Sequence, residues 1–230
     1  MDDATVVVTG ASRGIGRAIA ERFGAAGAHV VCSARDRDAV EATAAVLREE
    51  GGSATAVRAD VRDEFDTERL MEQAAREGGT IDVVVANAGV YHGDPGETPL
   101  PTSSYAAFDD HLRTNARGVF TTIREALPHL ADDARIAVPV GPFSRRTPPG
   151  YGGYGVSKAA ADAVARTFAV ETDVPVARFD PGQTATELTD RAGHDPAEAA
   201  ELCYWATTAL APDTLADTVL TRSDWREATR

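Results

Sequence analysis

Thr5-Val6-Val7-Val8-Thr9-Gly10-Ala11-Ser12-Arg13-Gly14-Ile15-Gly16 is the stretch whose reading decides the fold. Three consecutive valines form a short β-branched run of the kind that makes a buried strand. Thr9-Gly10 ends it. From Ile15 to Ala26 the apolar spacing is helical, and Gly27 is a C-terminal stop. Between strand and helix lie Gly10, Gly14 and Gly16. Glycines there let the backbone turn tightly and approach a pyrophosphate, which rests on the amide groups of the helix N-terminus. A glycine-rich βα turn is weak evidence alone; its place after the first strand gives it weight.

Working outward, the same alternation repeats. Strands are expected at His29–Ser33, Ala54–Ala59, Ile81–Ala86, Arg135–Val140, Val174–Phe179 and Thr218–Thr221. Helices are expected at 38–50, 65–76, 154–171 and 196–210, with one long helix over 104–130. Strands alternating with helices imply βαβ units, hence a parallel sheet covered on both faces. The expectation is one doubly wound Rossmann-type α/β domain spanning residues 1–230, with a mainly parallel sheet of about seven strands. Tyr91 to Pro101, rich in proline and glycine, reads as a loop at a pocket rim. The short polar segment around 186–196 reads as a small substrate lid.

The bulk numbers exclude several roles. A net charge of −13 over 230 residues argues against nucleic acid and anionic membranes as partners. No apolar run approaches the ~18 residues of a membrane span, and no leader pattern precedes the first strand, so a cytoplasmic location is expected. Cys32 and Cys203 lie far apart in apolar surroundings and read as buried free thiols. His92, His111 and His129 lack ligand spacing, so no metal site is expected. The acidity suits a salt-adapted proteome, and high-GC codon usage is the competing explanation.

Tyr154-Gly155-Val156-Ser157-Lys158 carries the second chemical signal. Tyr154 and Lys158 share one helix face, and Lys158 is the only lysine in the chain. A close ammonium stabilises a phenolate and lowers its pKa, so such a tyrosine can exchange protons near neutral pH. A surface tyrosine beside a solvated lysine is the bland alternative.

Together these stretches resemble the short-chain dehydrogenase/reductase family. The motifs fall in order: T-G-x-x-x-G-x-G at Thr9–Gly16, N-A-G at Asn87–Gly89, N-x-x-G at Asn115–Gly118, Y-x-x-x-K at Tyr154–Lys158 and P-G-x-x-x-T at Pro181–Thr186. The resemblance implies hydride transfer between a carbonyl and an alcohol on a small molecule, with a nicotinamide cofactor. It places Gly10, Ser12, Arg13, Gly14, Ile15 and Gly16 at the pyrophosphate, Asp60 and Val61 at the adenine, and Asn87, Ala88 and Gly89 beside the ribose. Lys158 would also hold the ribose, and Pro181, Gly182, Thr184 and Thr186 would face the nicotinamide. Tyr154 would be the acid or base, with Asn115 holding a water in a proton relay. It further suggests a homodimer or homotetramer through helices 104–130 and 154–171. Arg13 and Arg35 could converge on a 2′-phosphate and favour NADP(H) over NAD(H), with neighbouring Asp36 the argument against.

The reaction centre departs from the pattern. The family places a serine thirteen residues before the tyrosine, and here that position is Gly141. Either Ser144, three residues on, substitutes, or the donor is missing, which can cost ~10²–10³ in rate. The glycine is also expected to open space for a bulkier substrate. Arg145, Arg146 and Tyr151 are expected at the pocket border. The alternative to an active reductase is an NADP-binding protein with weak or no redox activity; a dehalogenase-like or lyase use of the fold is weaker, because the glycine turn is intact.

Overall fold

The computed structural model describes residues 1–215 and 218–230; the Ser144 side chain also lies outside the described set. Seven strands form one sheet, each neighbouring pair parallel, in the order β3-β2-β1-β4-β5-β6-β7. They are β1 Thr5–Thr9, β2 His29–Ala34, β3 Ser53–Arg58, β4 Ile81–Val85, β5 Leu130–Pro139, β6 Val176–Asp180 and β7 Val219–Thr221. The helices are α1 Gly14–Ala25, α2 Arg37–Glu49, α3 Glu64–Gly78, α4 Tyr105–His111, α5 Gly118–Ala126, α6 Gly152–Glu171, α7 Pro196–Thr208, α8 Pro212–Leu215 and α9 Arg222–Ala228.

The unbroken valine run of β1 follows from burial on both faces. Val6 and Val8 pack with Ile19, Phe23 and Leu202, on the side of α1 and α7. Val7 points the other way, to Leu70, Ile123 and Val84, on the side of α3 and α5. All three valines are fully buried, each worth about 1.5 kcal/mol or more. The two layers are closed by small residues: a Cβ on Gly24 would stand 3.0 Å from Leu47.

Chain order reverses between β1 and β4, so the loops after these two strands diverge and leave a crevice at their carboxyl ends. Thr9 ties this point together. Its hydroxyl donates to the Val85 carbonyl (3.2 Å) and accepts from the Asn87 and Ala88 amides (3.1 and 3.2 Å).

Three expectations are corrected. The helix expected over 104–130 is α4, a π turn over Leu112–Arg117, then α5 and a 3₁₀ turn over Leu127–His129. The fifth strand begins at Leu130, paired with Ile81, rather than at Arg135. The sixth begins at Val176, two residues later than expected. Helix α9 was not anticipated, although Thr221 and Asp224 cap it reciprocally.

Candidate active site

A cleft of about 670 Å³ opens at the switch point. Of the residues singled out from sequence, Gly10, Ser12, Arg13, Gly14, Ile15, Gly16, Arg35, Asp60, Val61, Asn87, Ala88, Gly89, Tyr154, Lys158, Pro181, Gly182, Thr184 and Thr186 all line it. Asn115 does not. Its carboxamide is turned to structure: Oδ1 accepts from the Val90 amide (2.7 Å), and Nδ2 donates to the Val90 carbonyl and the Ser157 hydroxyl (2.9 Å each). It sits in the π turn between α4 and α5, and both hydrogens of its amide group are engaged.

The glycine turn is packed so that backbone meets backbone. A Cβ on Gly10, at φ +69°, would stand 2.8 Å from Ala88 Cα, and one on Gly16 would collide with the Gly10 carbonyl and the Asn87 carboxamide. Asn87 Nδ2 donates to the Thr9 carbonyl (2.9 Å), so this side chain clamps the turn. The segment after β6 lies across the same turn. Thr186 Cγ2 would be 3.1 Å from a Gly14 Cβ, and Arg13 pairs with Glu187 at 3.1 Å, both largely exposed. Thr186 with Thr189 caps the 3₁₀ turn Glu187–Thr189, while the buried Thr184 hydroxyl donates to the Gly182 carbonyl (3.3 Å).

At the far end of β2, Asp36 caps α2, accepting from the Asp38 and Ala39 amides (3.0 and 3.1 Å). Arg35 is exposed at the cleft edge with no ion-pair partner among the described residues. Asp60 is held in a fork by Arg62 Nε and Nη2, and Arg62 reaches on to Asp110 (2.7 Å), which also binds His92 (2.8 Å). Burial works against the Asp60 carboxylate, but the Arg62 hydrogen bonds outweigh it and hold its pKa below the ordinary value.

The tyrosine end is a box of rings. Tyr91 meets Tyr154 edge-on at 4.8 Å, Phe143 meets it at 5.3 Å and 90°, and His111 lies 6.0 Å away. Tyr91 sews the two rim loops together, since its hydroxyl contacts Thr98 Oγ1 (2.7 Å) and the Thr98 amide donates to the Gly150 carbonyl (2.8 Å). Burial, with Tyr91, Tyr151 and Asp180 nearby, raises the Tyr154 pKa well above that of a free phenol. The expected lowering by Lys158 does not occur here. The Lys158 ammonium donates instead to the Pro139 carbonyl, and burial lowers its pKa to about 8, against the pull of Asp180.

Gly141 does not open space. Its φ is +66°, and a Cβ there would stand 3.3 Å from Phe143, whose ring also lies 3.3 Å from a Cβ placed on Gly155. The Phe143 ring therefore fills the room beside position 141. Ser144 closes the 3₁₀ turn Gly141–Ser144, and its side chain lies outside the described residues. Arg145 pairs with Asp180 at 3.1 Å, Arg146 is exposed, and Tyr151 packs against Phe143 and Tyr91. These three frame the site without lining the cleft.

Two further residues escaped sequence reading. Ser33, ending β2, and Thr114, in the π turn, are buried, line the cleft, and carry hydroxyls with no hydrogen-bond partner. Such orphaned groups are costly unless a ligand satisfies them. Their only signal in sequence is position: one ends a strand, the other precedes Asn115.

A family model for short chain dehydrogenases matches residues 4–197. The chain belongs to the short-chain dehydrogenase/reductase family. This oxidoreductase is 36% identical over 198 residues to a short chain dehydrogenase/reductase of Aspergillus aculeatus, covering 82% of this chain and 72% of that one. It is 34% identical over 193 residues to a versicolorin reductase of Emericella nidulans, with the same coverage of each. A short chain dehydrogenase from Burkholderia cenocepacia, solved in complex with NADP, superposes with TM-score 0.86 at 26% identity, covering 96% of both chains. In this chain the glycine cradle, where an added Cβ would meet neighbouring backbone, fits the close approach of a dinucleotide's pyrophosphate. No helix among the described residues is long and apolar enough to cross a membrane.

Proposed function

We propose that the protein is an NADP(H)-dependent reductase that interconverts a carbonyl and an alcohol on a small organic substrate. The observation that carries this is a single cleft with a phosphate-competent arginine at one end and the Tyr154–Lys158 pair at the other. Arg35 makes no ion pair among the described residues and offers a 2′-phosphate a cation at the end of β2, while Asp36, which also lines the cleft, caps α2 through Oδ1 and keeps its charge there. The NADP-bound structural relative agrees with that choice.

When bound, the reduced nicotinamide supplies a hydride. The chain's own residues manage the proton. Tyr154 is protonated at neutral pH and so can give its proton to a carbonyl oxygen; its raised pKa makes it a weaker acid and sets no direction of reaction. Lys158, cationic below about pH 8, stands one helical turn away, able to offer its charge to a ribose hydroxyl and to the developing phenolate. Gly10, Gly14 and Gly16 would approach the pyrophosphate. Asp60 is already committed to Arg62, so any contact it makes to an adenine amino group shares that carboxylate.

The glycine at position 141 favours a second reading, an NADP-binding protein with little turnover. Following NADPH oxidation with ketones and aldehydes for wild type and Tyr154→Phe separates the two. Carbonyl-dependent oxidation that vanishes in Tyr154→Phe is the expected result; tight NADPH binding with no such turnover would leave the second reading standing. Arg35→Ala should weaken NADPH binding about 10-fold or more and leave NADH unchanged. Homo-oligomerisation through α4–α6 is part of the same proposal, supported by the exposed Tyr105, Phe120 and Val156 and checked by light scattering.

A further inference from the structure

Resting on the reductase reading, a feature of the tyrosine end goes further. Between Pro139 and Tyr154 the cleft is lined by Pro139, Gly141, Pro142, Phe143 and Tyr154, and Tyr154 is the one described side chain there that can donate a hydrogen bond. A ring stands where a hydroxyl would. Phe143 is wedged over the bare Cα atoms of Gly141 and Gly155, perpendicular to Tyr154, and backed by Tyr151 at 5.4 Å. The half-exposed Leu188 lines the same cleft.

Two consequences follow from chemistry. With Tyr154 the one donor among the described side chains there, the negative charge that develops on the carbonyl oxygen is poorly stabilised by them, and a missing donor of this kind costs ~10²–10³ in rate. A substrate whose own electron-withdrawing neighbour stabilises that charge escapes most of the penalty. A rigid aromatic wall, in turn, favours a flat π-system, because rings pair in offset or edge-to-face contact.

We propose that this site takes flat, arene-conjugated 1,2-dicarbonyl compounds, held against Phe143 beside Tyr154, in preference to unactivated aliphatic ketones. The reaction balances as a two-electron reduction. The C4–H bond of the reduced nicotinamide breaks and a C–H bond forms at one carbonyl carbon. The C=O π pair moves to oxygen and takes the Tyr154 phenol proton, water returns a proton to Tyr154, and an α-hydroxy ketone and the oxidised cofactor leave.

The test uses the full chain, with 1-phenyl-1,2-propanedione and phenanthrenequinone against cyclohexanone, counting only NADPH oxidation that disappears in Tyr154→Phe. The expected kcat/KM for the aryl dicarbonyls exceeds that for cyclohexanone by about 10²-fold or more. A binding measurement stands beside it: calorimetric titration of the unreactive arene 9-phenanthrol into the NADP⁺ complex should weaken about 3- to 10-fold in Phe143→Leu, with NADPH affinity unchanged. Comparable kcat/KM for cyclohexanone, or arene binding indifferent to Phe143→Leu, overturns this inference and leaves the reductase reading intact. A 10²-fold loss in Ser144→Ala also overturns it, because a second donor would then exist. No Tyr154-dependent oxidation with any carbonyl, in protein that binds NADPH, removes the reductase reading itself.

Discussion

Replacing Gly16 by alanine sets two well-measured effects against each other. Gly16 is the third residue of α1, and alanine in place of a helical glycine ordinarily stabilises by about 1 kcal/mol. Here the added methyl would run into the Gly10 carbonyl oxygen and the Asn87 carboxamide, and stand 2.8 Å from the Gly10 carbonyl carbon. Two of these neighbours are backbone. The third is a side chain held by its hydrogen bond to the Thr9 carbonyl at 2.9 Å, so none retreats cheaply. Overpacking of this sort costs about 1–3 kcal/mol, and the Asn87 bond, at about 1 kcal/mol, is lost if that side chain gives way. The net expectation is destabilisation of about 1–3 kcal/mol, a fall in Tm of roughly 2–10 °C for a chain of this length, with a turn that no longer presents its amides to a pyrophosphate. Calorimetric melting and NADPH titration of Gly16→Ala read both. A Tm equal to or above wild type, with affinity retained, would show that helix propensity wins and that the packing argument is wrong.

Other outcomes follow from the same geometry. Lys158 titrates near 8 when folded and near 10.5 when free, so between these values the unfolded chain holds the extra proton and stability rises with pH. Urea midpoints for wild type should therefore climb relative to Lys158→Met between pH 8 and 9.5, and a flat difference would refute the burial. Asn115→Ala strands the Val90 amide and carbonyl and removes one donor from the Ser157 hydroxyl, which keeps its bond to the Tyr154 carbonyl; a loss of about 2–4 kcal/mol is expected in urea unfolding. Glu187→Gln breaks an exposed ion pair with Arg13, which is worth at most about 1 kcal/mol, so Tm should move by less than ~4 °C. It should also raise NADPH affinity two- to threefold by freeing Arg13, an effect that fades at high salt.

The strands were legible because double-sided burial leaves valine runs, as at Val6–Val8, and glycines mark where each strand hands over to its helix. The π turn inside the 104–130 helix was not legible. A π turn adds one residue without a compositional trace, and apolar spacing averaged over several turns cannot resolve it. The expected helix ran to Leu130 and the expected strand began at Arg135, yet Ile81 pairs with Leu130 and starts β5 there. The cleft's lining could be placed because ordered motifs sit at successive strand ends. The Phe143 ring could not, since whether a side chain turns back over a glycine is set by the local backbone, here the left-handed Gly141. Nor could the direction of Lys158, on α6, whose acceptor, the Pro139 carbonyl, lies at the end of β5.

The π turn at Leu112–Arg117 has a consequence for how this stretch tolerates change. Each residue of an α-helix advances the side chains by about 100° around the axis, so one extra residue resets the phase between α4 and α5. That reset lets Thr114 and Asn115 face inward while Gly118 still abuts Val61, where a Cβ would stand only 2.7 Å from the valine methyl. Deleting a single residue here would restore a regular helix and swing His111, and with it one wall of the Tyr154 box, about a quarter-turn out of place. At this point of the chain, spacing counts for more than identity: a one-residue gap should do more harm than most substitutions within it.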